Sequence, residues 1–191
     1  MKNLSDTQRL WFYRGLTLLV TAILVHLAAV WAAPRVIMQI LMNGPMAKTM
    51  NMYNQAAYPP AVTAASRTVV MPSPDMLYSV CTFDLRAGPL QITADPKLSS
   101  YWSIALYGAN SDNFHVVNDH QAAGKAVSLW VVADAAAPAG APQPPAGSTV
   151  VVSPSATGFV LMRVLTGNYD AEKDMLEPAR RTFQCTSAAK A

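Results

Sequence analysis

The sequence is poor in charge and in the glycine patterns that mark nucleotide sites. Asp, Glu, Lys and Arg make up 13% of the 191 residues, about half the share that is usual in soluble domains. We attribute part of this deficit to a membrane segment and the rest to a domain with large apolar faces that a partner could cover. The nine glycines form no Gly-x-Gly pair, so the sequence has no phosphate-binding or dinucleotide-binding loop of the usual kind.

Residues suited to catalysis or metal binding are also few. No Gly-x-Ser-x-Gly nucleophile elbow occurs, and apart from His26 the histidines are His115 and His120. Together with Asp112 and Asp119 they could ligate a divalent ion, but their spacing matches no compact metal motif and is common in solvated loops. We therefore predict no metal, no cofactor and no catalytic residue, which favours a role other than that of an enzyme.

The net charge of +3 does not indicate nucleic-acid binding. Three of the 14 basic residues and one of the 11 acidic residues precede residue 15, which leaves 11 basic and 10 acidic side chains in the rest of the chain. A nearly neutral domain lacks the clustered positive face that binds a phosphate backbone. We expect no nucleic-acid partner.

An uncharged stretch from Gly15 to Pro34 predicts one transmembrane helix. As a helix, its 20 residues would span about 30 Å, the thickness of a hydrocarbon core. More basic residues precede the stretch than follow it closely: Lys2, Arg9 and Arg14 against Arg35. The positive-inside rule then predicts a cytoplasmic stub at residues 1–14, a helix through the lipid bilayer of the bacterial inner membrane at 15–34, and a periplasmic main domain.

A cleaved signal peptide is the alternative interpretation of this segment. A basic start, an apolar run and the residues Val30-Trp31-Ala32 would suit a signal peptidase, although the run is long for a signal core. Both alternatives export the domain. His26 lies in the middle of the run, where an ionisable side chain packs against a neighbouring helix or, less commonly, serves a cofactor or a proton path.

The rest of the chain divides into a helical segment and a β-rich domain. Residues 35–58 carry Met and Leu at helical spacings, interrupted at Gly44-Pro45, and predict one or two short juxtamembrane helices. Residues 59–191 predict an exported domain with short strands and a C-terminal helix. The predicted strands are Arg67–Met71, Met76–Leu85, Pro89–Ala94, Ser100–Tyr107, Asn113–Val117, Ala126–Ala133, Ser148–Ser153 and Gly158–Leu165. The fold class is mainly β, an antiparallel β-sandwich or jelly-roll-like domain with short flanking helices.

Local patterns add three details to this domain. Val131-Val132 and Val150–Val152 are apolar without alternation, which predicts strands that are buried on both faces. The Ala- and Pro-rich stretch from Asp134 to Gly147 predicts an extended surface loop. Asp170 to Cys185 predicts a helix, because acidic residues begin it and basic residues end it, and Pro178 predicts a kink or a break in it.

The two cysteines, Cys81 and Cys185, could form one disulfide in an exported domain. The bond would tie a strand to the C-terminal helix across about a hundred residues and would contribute a few kcal/mol. The alternative is a pair of buried free thiols, because the sequence does not show whether the two Cβ atoms approach each other. We favour the disulfide.

One segment resembles the signature of a known family. The run Pro72–Ser79, followed by Asp84-Leu85 and Gly88-Pro89, is similar to the motif of the domain of unknown function 1254 family. Further residues occur in the family's order: Tyr101, Asn113-Phe114, Ser153-Pro154 and Arg163. The resemblance covers roughly Pro59 to Cys185, with Ser73 standing where the family usually has Asn, and no Asp near Gly108.

The resemblance implies a β-sandwich-like domain and no established reaction. It also implies a companion, the sister domain of unknown function 1214, either fused or present as a separate membrane-anchored chain. No such second domain follows in this sequence, so we expect a separate partner.

These observations lead to three hypotheses. The first is a non-catalytic, membrane-anchored interaction subunit of a periplasm-facing complex, paired with a sister-domain membrane protein. The second is an enzyme or small-ligand binder with a site formed by Asp75, Tyr78, Asn113 and Arg163, although a purely structural role for Asp75 and Tyr78 is the simpler interpretation. The third is an accessory subunit of a large respiratory, photosynthetic or transport complex, which His26 against a foreign helix would favour.

Overall fold

The computed structural model describes residues 5–63, 65–67, 72–133 and 142–188. The chain forms two compact units, which divide between Ile37 and Met38. The first unit is helical and belongs to helix α1 (Asp6–Asn43). Ser5 and Gln8 start this helix with a reciprocal cap, since each backbone N–H donates to the other side chain.

Helix α1 is the one helix within the described residues that is long and apolar enough to cross a membrane. This confirms a membrane-compatible N-terminal helix, and a signal sequence shares the same features. The helix continues through Pro34, so its apolar stretch and the first predicted juxtamembrane helix are one element. His26 is exposed in this unit, and its packing against another helix stays a prediction.

The second unit begins with the last turns of α1, and the predicted break at Gly44-Pro45 is confirmed. A Cβ atom at Gly44 would collide with the carbonyl oxygen of Ile40, so glycine lets the chain turn there. Pro45 then occupies the first turn of helix α2 (Pro45–Thr49), where a missing N–H has no cost. Four side chains of this region pack into a cluster with Val80 and Phe159: Met38, Met42, Ala47 and Met52.

Eight strands and two further helices complete the second unit. They are β1 (Met76–Asp84), β2 (Leu90–Ala94), β3 (Trp102–Gly108), β4 (Asn113–Asn118), α3 (Asp119–Ala122), β5 (Val127–Val132), β6 (Thr149–Val152), β7 (Thr157–Leu165), α4 (Tyr169–Arg181) and β8 (Gln184–Ser187). One sheet has the order β1-β7-β3-β4 and the other β6-β5-β2-β8. Seven predicted strands are confirmed within a residue or two. The predicted strand Arg67–Met71 lies, apart from Arg67, outside the described residues, as does the part of the predicted loop from 134 to 141.

Alternating side chains of both sheets form one core, which confirms the sandwich. Leu77, Ile104 and Val160 of the first sheet join Ile92 and Val131 of the second in a single buried cluster. Each sheet thus buries one face against the other, as a strand period of two requires.

The Cys81–Cys185 disulfide crosses this core, with the two Cα atoms 6.5 Å apart. The structure pairs the two cysteines, but the predicted placement of Cys185 in the C-terminal helix was wrong. Helix α4 ends at Arg181, and Cys185 lies in β8, opposite Ile92 of β2. Pairing with β2 ends the helical stretch early, because it satisfies the backbone groups of residues 184–187 in a sheet. Helix α4 continues through Pro178, so of the predicted kink or break the break does not occur.

Strand β6 corrects two further expectations. Val131 and Val132 of β5 are buried as predicted, but Val150 and Val152 are 51% and 48% exposed. The reason is position, since β6 is the outermost of the described strands in its sheet and only Val151 points to the core. β6 also runs parallel to β5, whereas we expected antiparallel pairing throughout. The long connection between Val132 and Thr149 makes a parallel pairing possible.

An extended segment closes one side of the sandwich. Tyr53 and Ala57 form bridges to β1, and Gln55 between them bridges to Thr186 of β8. The segment 53–57 thus contacts an edge of each sheet. This placement brings Tyr53 next to the end of β1, where the candidate site lies.

Candidate functional site

The four residues predicted to bind a ligand do not form one cluster. Tyr78 and Arg163 lie directly opposite each other on β1 and β7. Asp75 is exposed just before β1, and its carbonyl oxygen accepts a hydrogen bond from Thr166 N–H at 2.9 Å. Asn113 is exposed at the other end of the sheet, where it pairs with Tyr107. Ligand binding by the Tyr78–Arg163 pair stays a prediction.

The Tyr78 hydroxyl has a structural partner in the same motif. It accepts a hydrogen bond from Ser73 N–H at 3.0 Å, so the ring fixes the turn that precedes β1. Arg163 differs, because its Nε is buried and has no hydrogen-bond partner. Ser103, which faces it on β3, has a buried hydroxyl that also lacks a partner.

A cavity of about 550 Å³ lies elsewhere, at the far end of β1. Residues from the end of α1, from the segment after α2, from β1 and from the start of β7 line it. They are Gln39, Met42, Asn43, Tyr53, Thr82, Phe83, Asp84, Arg86, Ala156 and Thr157. Its volume falls within the range of about 300–1,000 Å³ that is typical of small-molecule sites.

A charged pair sits at the centre of this lining. Asp84, the last residue of β1, is 5% exposed. Arg86 donates from Nε to both carboxylate oxygens at 2.8 and 2.9 Å and from its backbone N–H to Oδ1 at 2.9 Å. These hydrogen bonds lower the pKa of Asp84 to about 2. Arg86 Nη2 also donates to Oδ2 of Asp84. The Arg86 side chain is 74% exposed, and Nη1 is its guanidinium nitrogen that makes no hydrogen bond to Asp84.

Tyr53 and Asn54 hold the other side of Asp84. Asn54 adopts a positive φ of 47°, a conformation that Asn tolerates better than most residues. In this conformation its Oδ1 accepts a hydrogen bond from Asp84 N–H at 3.0 Å, while its own N–H donates to Thr82 O at 2.7 Å. The Tyr53 ring is 56% exposed beside the carboxylate. Burial, and then the charge of Asp84, raises the pKa of Tyr53.

Amide and hydroxyl groups complete the lining. Asn43 Nδ2 donates to Gln39 Oε1 at 2.9 Å, so the two amides are linked across one helical turn. Thr82 donates to Met52 O at 3.1 Å, and Thr157 lies opposite Asp84 on β7. Both oxygens of Asp84 are occupied, and its carboxylate stays ionised at neutral pH. The arrangement therefore suits binding rather than proton transfer.

Sequence reasoning missed most of this site. Asp84 stands out in the sequence through the Asp84-Leu85 motif, and the Asp-x-Arg spacing at the end of a strand is the local signal for the ion pair. Gln39, Asn43 and Tyr53 come from a stretch that reads as an amphipathic helix, and nothing in it predicts a cavity wall. Among the residues that the structure describes, no three His, Cys, Asp or Glu side chains are placed to hold a metal ion.

Two solved structures are similar to this chain. The VPA0106 protein from Vibrio parahaemolyticus is similar with a TM-score of 0.65 and 12% identity over 84% of this chain and 37% of that one. A second, uncharacterized protein from Burkholderia cenocepacia has a TM-score of 0.46 and 18% identity over 64% of this chain and 34% of that one. Because the sequence identity is only 12%, the similarity to the Vibrio protein concerns the fold alone. This chain spans little more than a third of either neighbour, and no curated protein matches it.

The family comparison covers the sandwich and much of the cavity. The model of a family described as "Protein of unknown function (DUF1254)" matches residues 53–187. The match begins at Tyr53, includes the Pro72–Ser79 motif and Asp84, and reaches past Cys185. It takes in well over half of the chain and agrees with the resemblance in the motif. The chain therefore belongs to the DUF1254 family.

Proposed function

We propose that this protein is a non-catalytic interaction subunit, anchored in the bacterial inner membrane by α1, whose sandwich pairs with a second membrane-anchored protein in the periplasm. Three features support the location. The helix has an apolar stretch as long as a bilayer is thick, more basic residues precede that stretch than follow it closely, and a disulfide joins the two sheets. Disulfides persist in oxidising compartments such as the periplasm.

The observation that carries the pairing is the exposed edge of the second sheet. β6 ends the order β6-β5-β2-β8, and its two outward valines, Val150 and Val152, are about half exposed. An outer strand offers unpaired backbone groups to an added strand, and apolar side chains on it favour such a contact. The opposite side of the sandwich is already bridged by residues 53–57.

The fold neighbour from Vibrio parahaemolyticus supports a partner that takes the place of further polypeptide beside the sandwich. Its region with this fold makes up only 37% of that chain, so in that protein the sandwich is joined to further polypeptide. In the present case we assign the equivalent role to a separate chain, whose β-rich domain adds a strand at β6. An apolar strand of the partner would fit β6 better than a charged surface would, because the part of this chain that we place in the periplasm is nearly neutral.

The test uses the full-length protein, tagged at its C-terminus and extracted from native membranes in a mild detergent. We expect a stoichiometric membrane-protein partner by mass spectrometry and native electrophoresis. The double substitution Val150→Lys and Val152→Lys should abolish recovery of that partner, since it puts charge on the strand edge. Val116→Lys is the matched control, because Val116 is a 40% exposed valine on β4, the end strand of the other sheet.

Two outcomes would contradict the proposal. One is recovery of the wild-type protein as a monomer with no stoichiometric partner. The other is equal loss of the partner in the β6 and β4 variants, which would place the contact elsewhere or reveal a general effect on folding.

A further inference from the structure

The cavity at Asp84 is unused by the proposed strand pairing, and its chemistry selects one class of ligand. Among the described residues that line it, only Asp84 and Arg86 are charged, and they neutralise each other through several hydrogen bonds. A charged ligand would lose hydration without finding an unpaired counter-charge, which is costly. A neutral polar ligand would not incur that cost.

The lining offers both donors and acceptors to such a ligand. Nε and Nη2 of Arg86 bind Asp84, which leaves Nη1 to donate to a ligand. Gln39 and Asn43 carry side-chain amides that can donate and accept. Thr157 adds a hydroxyl at the opposite wall. Neighbouring hydroxyl groups on a ligand would match this set, because each hydroxyl donates one hydrogen bond and accepts others.

Tyr53 provides an aromatic surface at the same place. Its ring is 56% exposed although its hydroxyl lies beside Asp84. The segment that carries it is constrained, since Asn51 and Asn54 on either side both have positive φ angles, 48° and 47°. Side chains held by sparsely populated backbone conformations are a feature of ligand sites. An exposed, fixed ring presents a flat apolar face with a polar rim.

We propose that this cavity binds a neutral saccharide, with Tyr53 stacking on the apolar face of a sugar ring and Arg86, Gln39 and Asn43 hydrogen-bonding its hydroxyl groups. The cavity has room for more than one sugar ring at about 550 Å³. The inference is independent of the partner at β6, since none of the lining residues belongs to that strand.

The experiment is a binding titration on the full-length protein in lipid nanodiscs, because sugar-headed detergents would compete for the site. Maltose and N,N′-diacetylchitobiose are the probes. Their binding is measured by calorimetry and by saturation-transfer NMR. We expect at least one of them to bind with a dissociation constant of about 1 mM or lower. Phosphocholine and citrate, which are zwitterionic and anionic, should not bind measurably.

Two substitutions locate the binding. Tyr53→Ala and Arg86→Ala should each weaken it by about tenfold or more. Lys97→Ala is the matched control for Arg86, because Lys97 pairs with Asp95 at the same two-residue spacing, at 3.0 Å, away from the cavity. Both Arg86 and Lys97 side chains are mostly exposed, and thermal unfolding monitored by circular dichroism checks that all variants fold.

The result that overturns the proposal is no binding of either sugar, or sugar binding that Tyr53→Ala and Arg86→Ala leave unchanged. Tighter binding of phosphocholine or citrate than of either sugar would overturn it as well. Loss of the partner in the β6 variants with sugar binding intact would separate this inference from the proposed function, because each would have been tested alone.

Discussion

Arg180 of helix α4 donates a hydrogen bond from Nη1 to the carbonyl oxygen of Tyr78 at 2.9 Å. The same nitrogen donates to Pro59 O at 2.7 Å, and the other side of the guanidinium binds Glu177 at 2.6 and 3.0 Å. The Arg180 side chain is only 4% exposed. One arginine therefore joins α4, β1 and the chain that enters the domain.

Arg180→Ala should strongly destabilise the domain. The change leaves Glu177 and two buried carbonyl groups without their donors, and breaking a buried pair of this kind costs about 3 kcal/mol. Urea unfolding followed by tryptophan fluorescence measures the loss. Arg181→Ala is the control, because Arg181 is 57% exposed and lies 3.5 Å from the same carboxylate; its loss should cost about 0.5 kcal/mol or less. Equal losses in the two variants would contradict the assignment.

Removing the disulfide should cost a similar amount. The Cys81–Cys185 bond closes a loop with a separation of 104 residues, and the chain-entropy model assigns about 4.7 kcal/mol to a loop of this size. The double variant Cys81→Ala and Cys185→Ala should unfold at a correspondingly lower urea concentration than the oxidised protein. Alkylation and mass spectrometry of the protein from native membranes should find both thiols blocked. Free thiols there would argue against the periplasmic location.

The Asp84–Arg86 pair predicts a specific dependence of stability on pH. Because the folded pKa of Asp84, about 2, lies below the ordinary value of 3.8, the pair stabilises the fold fully above pH 4. That contribution is lost as the pH falls from about 4 to about 2. We expect a loss of about 1–2 kcal/mol over this window, reduced by the solvent around Arg86. Asp84→Asn should show a flatter profile in urea titrations between pH 4.5 and 2, and identical slopes would refute the assignment.

Gly158 allows three strands to approach closely. A Cβ atom there would collide with the Phe83 ring on β1 and with the carbonyl oxygen of Tyr107 on β3. Gly158→Ala should therefore cost about 2 kcal/mol through overpacking. Gly167→Ala is the control, since the nearest atom to its added Cβ would be at 3.4 Å, on the flexible Glu172 side chain. Thermal unfolding of both variants makes the comparison, and a neutral Gly158→Ala would show that the sheet relaxes.

The sequence predicted the strands well, because each has its own apolar pattern and is bounded by turn residues. The prediction from sequence failed where burial or secondary structure depends on the neighbouring strand. Val150–Val152 looks buried by composition, but within the described part of the chain β6 has a partner on only one side. Gln184–Ser187 looks like the end of a helix, but β2 offers a strand to pair with. In both cases the outcome depends on which element lies alongside, and a local pattern holds no information about that.

The residues of the candidate site divide in the same way, into those that a local pattern predicts and those that only packing brings together. Asp84 and Arg86 are two residues apart, so their ion pair is a local feature that follows from spacing. Tyr53 reaches them only because the chain before the sandwich bridges to β1. Asn113 and Arg163, by contrast, are both among the residues that resemble the family but lie at opposite ends of the sheet.

The amino-acid sequence alone determined the apolar helix, the succession of strands along the chain and the presence of two cysteines that could pair. These features follow from composition and short-range periodicity. Only the tertiary structure decided that the cysteines join two sheets, that β6 is the outermost of the described strands in its sheet, and that Gln39, Tyr53, Asp84 and Thr157 enclose one cavity. Those four residues are distant along the chain, and packing of the sheet against the segments before it brings them together. Long-range packing of this kind is a property of the whole fold and is not encoded at any single position.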